Sequence, residues 1–182
     1  ESRRAFERAA ITLDEVAFLL WATQGVKKRF GDSCALRTVP SAGARHALET
    51  YLAVFAVEGL EPGVYRYLPL EHQLLFEFAE SDARRKVSDA ALGQTFAGEG
   101  AVCFIWTAIP SRMEWRYGDA SYKVIAIDTG HVCQNLYLAC EAIGAGACAI
   151  AAYDQAAADA LLRVDGVAEV AVYVAPVGKV AR

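Results

Sequence analysis

Apolar positions along this chain recur with two different periods, and the switches between them outline an α+β order. Thr12-Leu13-Asp14-Glu15 has the spacing of a capping box, in which the Thr hydroxyl and the Glu carboxylate satisfy free backbone N–H groups. Val16, Leu19 and Leu20 then mark one apolar face, which predicts a helix over about 13–23. "TYLAVFAV" (50–57) is β-branched and aromatic, "EGLEPG" supplies a turn and "VYRYL" alternates, so two short strands joined as a hairpin are expected. Residues 81–92 read as a helix with a polar face. "AVCFIWTAI" (101–109) has the composition of a fully buried strand and marks the centre of the sheet. Over 121–143, Ile125, Val132, Leu136, Ala139 and Ile143 recur at helical spacing, with Cys and Ala on other sides. A helix apolar on nearly every face predicts a second subunit that covers it. "ACAIAA", a helix over about 154–162 and the strand "AEVAVYVAPVG" complete the order. No internal repeat or linker interrupts residues 1–182, which read as one domain.

Composition narrows the function classes. With 182 residues, 55% of them hydrophobic, the chain can bury one sizeable core. A net charge of −4 offers no basic field for a phosphate backbone, so nucleic acid is excluded as a partner. The longest uncharged stretch, "AIGAGACAIAAY" (142–153), falls short of the ~20 residues that a spanning helix needs. The opening "ESRRAFERAA" has no basic segment followed by an apolar one, and begins without Met, as a trimmed chain would. Five cysteines make an odd count without a Cys-x-x-Cys pair, which argues against a disulfide framework and for a reducing, cytoplasmic setting. Cys133 and Cys140 fall about 10.5 Å apart along a helix, too far to be bridged.

Several motifs fail on context. "GAGACA" from Gly144 begins like a dinucleotide fingerprint, but a helix precedes it and a strand follows, the reverse of what a pyrophosphate site requires. Gly144 reads instead as the stop of the long helix. His46, His72 and His131 are too scattered to hold a metal. A Ser41/His46 nucleophile pair lacks an orienting acid and an oxyanion hole. What remains is a set of three cationic segments, Ser2-Arg3-Arg4, Arg37 with Arg45, and Lys179 with Arg182. Beside the second lies "PSAGA" (40–44), whose small residues let a backbone approach a flat ligand.

"LLWATQG" (19–25), "RTVPSAGARHALE" (37–49), "GLEPGVYRY" (59–67), "HVCQNLYLACEAIGAGACAI" (131–150) and "VYVAPVG" (172–178) together resemble the flavin-dependent nitroreductase family, and more narrowly its SagB-type branch. The resemblance runs in order over nearly the whole chain. It implies a nitroreductase-like fold, a central mainly antiparallel sheet flanked by helices, and a homodimer whose two FMN sites lie at the subunit interface. By the same resemblance, Ser2, Arg3 and Arg4 belong to the arm that meets the FMN phosphate and pyrimidine. A first arginine of that arm would stand just ahead of Glu1. Pro40, Ser41, Ala42 and Gly43, with Arg45 beside them, correspond to the loop that the partner subunit lays against the isoalloxazine; Ala47 stands where many relatives carry Pro. Ala149, Ala151 and Ala152 correspond to the strand that passes the flavin, and Lys179 and Arg182 to a C-terminal cationic pair near the phosphate.

These correspondences imply an FMN-dependent oxidoreductase in which NAD(P)H reduces flavin N5 and a nitroarene, quinone or similar small acceptor then takes the electrons. The chemistry is the flavin's, so no protein nucleophile is needed. With no Rossmann site for an adenosine half, FMN rather than FAD is expected. A second expectation, from the SagB-type branch, is oxidation of an azoline in a modified peptide. Members with that activity carry a Lys-Tyr pair where this chain has Arg116-Tyr117, and Arg does not release its proton as Lys can. A third is a non-catalytic, dimeric flavin-binding protein.

Overall fold

A computed structural model describes residues 1–31 and 33–181. In chain order the helices are α1 (Leu13–Gln24), α2 (Ala83–Ala90), α3 (Ser111–Tyr117), α4 (Ser121–Ala142) and α5 (Gln155–Leu162). The strands are β1 (Val26–Phe30), β2 (Cys34–Arg37), β3 (Leu48–Val54), β4 (Gly63–Leu68), β5 (Gln73–Ala79), β6 (Val102–Ala108), β7 (Ala145–Ala147) and β8 (Val170–Lys179). Six of them form one sheet in the order β5-β4-β3-β6-β8-β7, every neighbouring pair antiparallel, while β1 and β2 form a separate hairpin. The expected α+β arrangement, a central antiparallel sheet flanked by helices, is thus present.

The centre lies where the pattern placed it. Along β6, Val102, Phe104 and Trp106 face one core and Cys103 and Ile105 the other, because successive side chains of a strand point to opposite sides. One core packs α1 and α4 against the sheet; the second packs α2 and α5 against its other face. A strand buried on both faces reads as an unbroken apolar run, which is what "AVCFIWTAI" is.

The capping box at Thr12 forms as expected, with Thr12 Oγ1 accepting from Glu15 N–H and the Glu15 carboxylate accepting from Thr12 N–H. Gly144, with φ 64°, follows the last residues of α4, in the left-handed conformation that suits a helix stop. The all-apolar reading of α4 needs narrowing. Lys123, His131, Gln134 and Glu141 are exposed along it, together with Ile127 and Leu138. Four elements go beyond the pattern: β1, β2, β5 and α3. The first three are largely solvent-facing, and α3 is a short polar helix, so none carries a period of buried positions. Four cysteines are buried, Cys34 is exposed, and all five are free. Among the described residues no helix is long and apolar enough to cross a membrane.

Candidate functional site

The N-terminal arm reaches the sheet because two glycines let it. Arg3 N–H donates to Ala147 O (2.8 Å) and Glu7 N–H to Lys179 O (2.8 Å), so the arm runs beside the ends of β7 and β8. A Cβ at Gly146 would stand 2.5 Å from Arg3 Cγ, and one at Gly178 2.9 Å from Phe6. Tyr137, on α4, pins the arm to the chain that follows β7. Its hydroxyl accepts from Ala149 N–H (2.8 Å) and shares a hydrogen bond with Ser2 Oγ (3.0 Å). Arg3 pairs with Glu1 through one terminal nitrogen (2.6 Å), while its Nε is buried with no partner among the described residues. Arg4 is exposed, its guanidinium 5.8 Å from the Phe96 ring centre.

Lys179 is more fully engaged than exposed Arg4. Its ammonium donates to the Glu15 carboxylate (2.5 Å) and to Ile143 O (2.8 Å), tying the start of α1 to the end of α4. Arg182 lies outside the described residues.

A cleft of about 490 Å³ opens between α4 and the first residues of β8. Tyr122, Ala126 and Gly130 form the helix wall, Val172 and Tyr173 the strand wall, and Ala151 and Tyr153 the rim. Its volume falls in the range of small-molecule sites. Ala151 and Ala152 are exposed, and among the described residues no backbone carbonyl takes their N–H groups. The segment expected to pass a flavin as a strand is instead irregular chain beyond β7, held to β8 by the isolated bridge Ile150–Val174, and it offers the Ala151 N–H at the rim of this cleft.

The loop at 40–45 is built elsewhere, against α3 and the start of α4. Ala42 N–H donates to both oxygens of Asp128 at 3.2 Å, and Ser41 Oγ accepts from His46 N–H at 2.9 Å. The Ser41/His46 contact therefore runs through the backbone amide and not the imidazole, which leaves the hydroxyl without a base. Gly43 holds φ 57°, ψ 20°, in the left-handed region. The space where its Cβ would stand is taken by Tyr117 Oη, 2.8 Å away, and Arg116 Nε, 3.2 Å away. The fold thereby brings together two groups distant in sequence, the small-residue loop and the Arg116-Tyr117 pair.

Half-buried Arg37, at the end of β2, donates to Gln24 Oε1 (2.7 Å) and Leu48 O (3.3 Å). Burial, then the charge of Arg37, push the His46 pKa down to about 4, so His46 is neutral in the fold. The unfolded chain binds a proton near pH 6.5 that the native state refuses until about pH 4. Stability from this group is full above about pH 6.5 and declines as pH falls toward 4. His46→Gln is expected to flatten the fall of Tm across that window, measured by thermal melts at matched ionic strength; an unchanged slope would remove His46 from the acid response.

Asp128 and Tyr137 lie nine residues apart on α4, about two and a half turns. They occupy opposite flanks, about 13.5 Å apart along the axis and separated by a helix about 10–12 Å thick with its side chains. Ala126 and Gly130 share the flank of Tyr137, by their spacing of four and seven residues. In one chain, then, the cleft and the arm lie on one side of α4, and the loop with Arg116-Tyr117 on the other. Sequence reasoning missed the residues that do this positioning, Tyr137 and Asp128. Asp128 was detectable as a carboxylate within an apolar helix, 5% exposed in the fold.

Comparison with known proteins matches the nitroreductase family model to residues 1–179. A protein of Methanocaldococcus jannaschii that carries the name nitroreductase is 34% identical over 152 residues, 84% of this chain and 74% of the relative. The trifolitoxin-processing protein TfxB of Rhizobium leguminosarum bv. trifolii is 33% identical over 112 residues, 59% of this chain and 30% of TfxB. Among solved structures, a protein from Anabaena variabilis, also described as a nitroreductase, superposes with a TM-score of 0.82 at 30% identity. That match covers 90% of this chain and 34% of the other. The chain therefore spans about a third of the length of the last two.

Proposed function

Because the chain belongs to the nitroreductase family and is an oxidoreductase, we propose that it is an FMN-dependent, homodimeric enzyme that takes reducing equivalents from NAD(P)H and delivers them to a small electron-poor acceptor such as a nitroarene or quinone. The observation that carries this reading is the buried, unpartnered Nε of Arg3, set beside Ser2 and Tyr137. The Arg3 side chain is half-exposed and paired only with the exposed Glu1 among the described residues, so its buried, unused Nε–H suits an anion, and the terminal phosphate of FMN is one. The cleft between α4 and β8, walled by Tyr122, Val172 and Tyr173 with the Ala151 N–H at its rim, fits a flat ring.

FMN, when bound, supplies the redox chemistry. The chain's own part is to hold and orient it. Ser2, Arg3 and Arg4 would meet the phosphate side, and Ala149, Ala151 and Ala152 would pass the ring. Pro40, Ser41, Ala42, Gly43 and Arg45 of the partner subunit would close over it. The carboxylate of Glu15 already balances Lys179, so Lys179 would add to the phosphate site only through its long-range field. Arg116 and Tyr117, packed at Gly43, would arrive with the loop.

The experiment is a visible spectrum. Purified protein reconstituted with FMN is expected to be yellow and to bleach anaerobically with NADH or NADPH, then recover on addition of a quinone. Protein that takes up no FMN, or binds it and is not bleached by either nucleotide, would sink the reading.

One observation favours a second reading within the same fold. The likeness to a trifolitoxin-processing protein supports the SagB-type branch, and Arg116-Tyr117 stands beside the loop where the azoline-oxidising members carry Lys-Tyr. On this reading the acceptor side of the site takes a modified peptide, and dehydrogenation of an azoline peptide to the azole, followed by mass spectrometry as a loss of two hydrogens, tests it.

A further inference from the structure

Two guanidinium groups bracket Gly43, and neither has a counter-ion. Arg45 Nε donates to Gly43 O (3.0 Å), and its guanidinium lies 4.9 Å from the centre of the Trp115 ring. Arg116 approaches the same residue from α3, its Nε 3.2 Å from the Cβ position of Gly43 and its guanidinium 5.9 Å from the Tyr117 ring centre. Among the described residues neither forms an ion pair, whereas Arg112, on the same helix, is bound to Glu49 at 2.6 Å. Asp128, the buried acid of this region, has both oxygens on Ala42 N–H. Glu114 and Asp119 are exposed acids, and Lys123 adds a further cation close in sequence.

Solvated arginines normally move freely. These two are held, one by a carbonyl and an indole face, the other against a loop glycine and a phenol, so the entropy of fixing them is already spent before a ligand arrives. Two fixed, unneutralised guanidinium groups next to an aromatic surface form a receptor for a planar aromatic anion: the guanidinium forks take a carboxylate or phosphate, while Trp115 covers the ring. Trp115 is 64% exposed, its Nε1–H donating to Arg112 O (3.1 Å), so most of the indole remains open to a ligand.

We propose that Arg45 and Arg116 form an anion-recognition pair that selects a reaction partner carrying a carboxylate or phosphate close to its aromatic ring. The inference rests on the reading of loop 40–45 as one wall of a redox site. Its chemistry has two possible sources, an anionic acceptor or the phosphate of NADPH, and the test separates them.

The test uses binding before turnover. Titration calorimetry on the FMN-reconstituted dimer compares 4-nitrobenzoate with its neutral counterpart 4-nitrobenzamide, and NADP+ with NAD+, the oxidised nucleotides that bind without reducing the flavin. The wild type is expected to prefer the more anionic member of at least one pair by about tenfold, as a charge-assisted hydrogen bond supplies. That preference should fall toward parity in Arg45→Gln with Arg116→Gln, and should weaken with added salt in the wild type. Preference within the benzoate pair assigns the anion to the acceptor, and within the nucleotide pair to the donor. Equal affinities in both pairs overturn the proposal, as does a preference that survives the double substitution. The wild-type comparison needs no variant to fold. A benzoate preference in protein that NAD(P)H never bleaches would retain the anion site and defeat the redox reading, while normal bleaching with no preference would do the opposite.

Discussion

Replacing Gly43 with valine is expected to empty the flavin site while leaving the fold standing. Two separate forces act at this position. Gly43 has φ 57°, where an L-residue costs about 1–2 kcal/mol and a β-branched one is a true outlier. Its Cβ would also stand 2.8 Å from Tyr117 Oη and 3.2 Å from Arg116 Nε, so α3 and the loop have to part. Both effects fall on a partly exposed loop remote from β6, so little buried apolar area changes. A loss of about 1–3 kcal/mol corresponds to roughly 2–4 °C of Tm per kcal/mol for a chain of this size. FMN content should therefore drop far more than Tm does. Gly43→Ala, which keeps the strain and removes the branching, should fall between the two. If loop 40–45 is only a connection between β2 and β3, the ordering reverses, and flavin content follows stability down. Full occupancy with normal turnover in the valine variant would rule out the platform role.

The contrast between what the sequence made legible and what it hid follows from where each element's partners are. The strand at 102–108 and the helix at 121–142 announced themselves because the first is buried throughout and the second along one continuous face, and burial is what writes a period into a sequence. β1 and β2 did not, since their residues are largely solvated and their pairing is held by backbone bonds that leave no trace in side-chain chemistry. The site divided in the same way. The loop "PSAGA" was legible through its small residues, and the arm through its adjacent arginines. Lys179 shows the limit of that reasoning, because its charge was visible and its pairing with Glu15, 164 residues away, was not. Tyr137 shows a second limit. A tyrosine on a long helix has no signature until the fold sets its hydroxyl between Ser2 and Ala149.

The separation of the two half-sites across α4 leads to the second large effect, on assembly. A single ring lying along the Tyr137 flank cannot also touch the Asp128 flank of the same helix, which is about 10–12 Å thick. If the loop and the cleft address one cofactor, the loop has to come from a second copy of the chain. The outer face of α4 is suited to receive that copy. Ile127 and Leu138 are 52% and 62% exposed, and their eleven-residue spacing, three turns at about 3.6 residues each, aligns them in one stripe. Placing a glutamate at each, Ile127→Glu with Leu138→Glu, should cost the isolated subunit little, because neither side chain belongs to either core. Across a dimer interface the same change buries two unpaired charges per subunit, a penalty of several kcal/mol each. Sedimentation at micromolar concentration should therefore show a folded monomer, with native circular dichroism, that has lost its FMN. The coupling of the two losses is the informative part. A monomer that keeps stoichiometric FMN would mean that one chain completes the site alone, and the partner's loop would have no role in it. A dimer unaffected by both glutamates would move the interface to another face of the molecule.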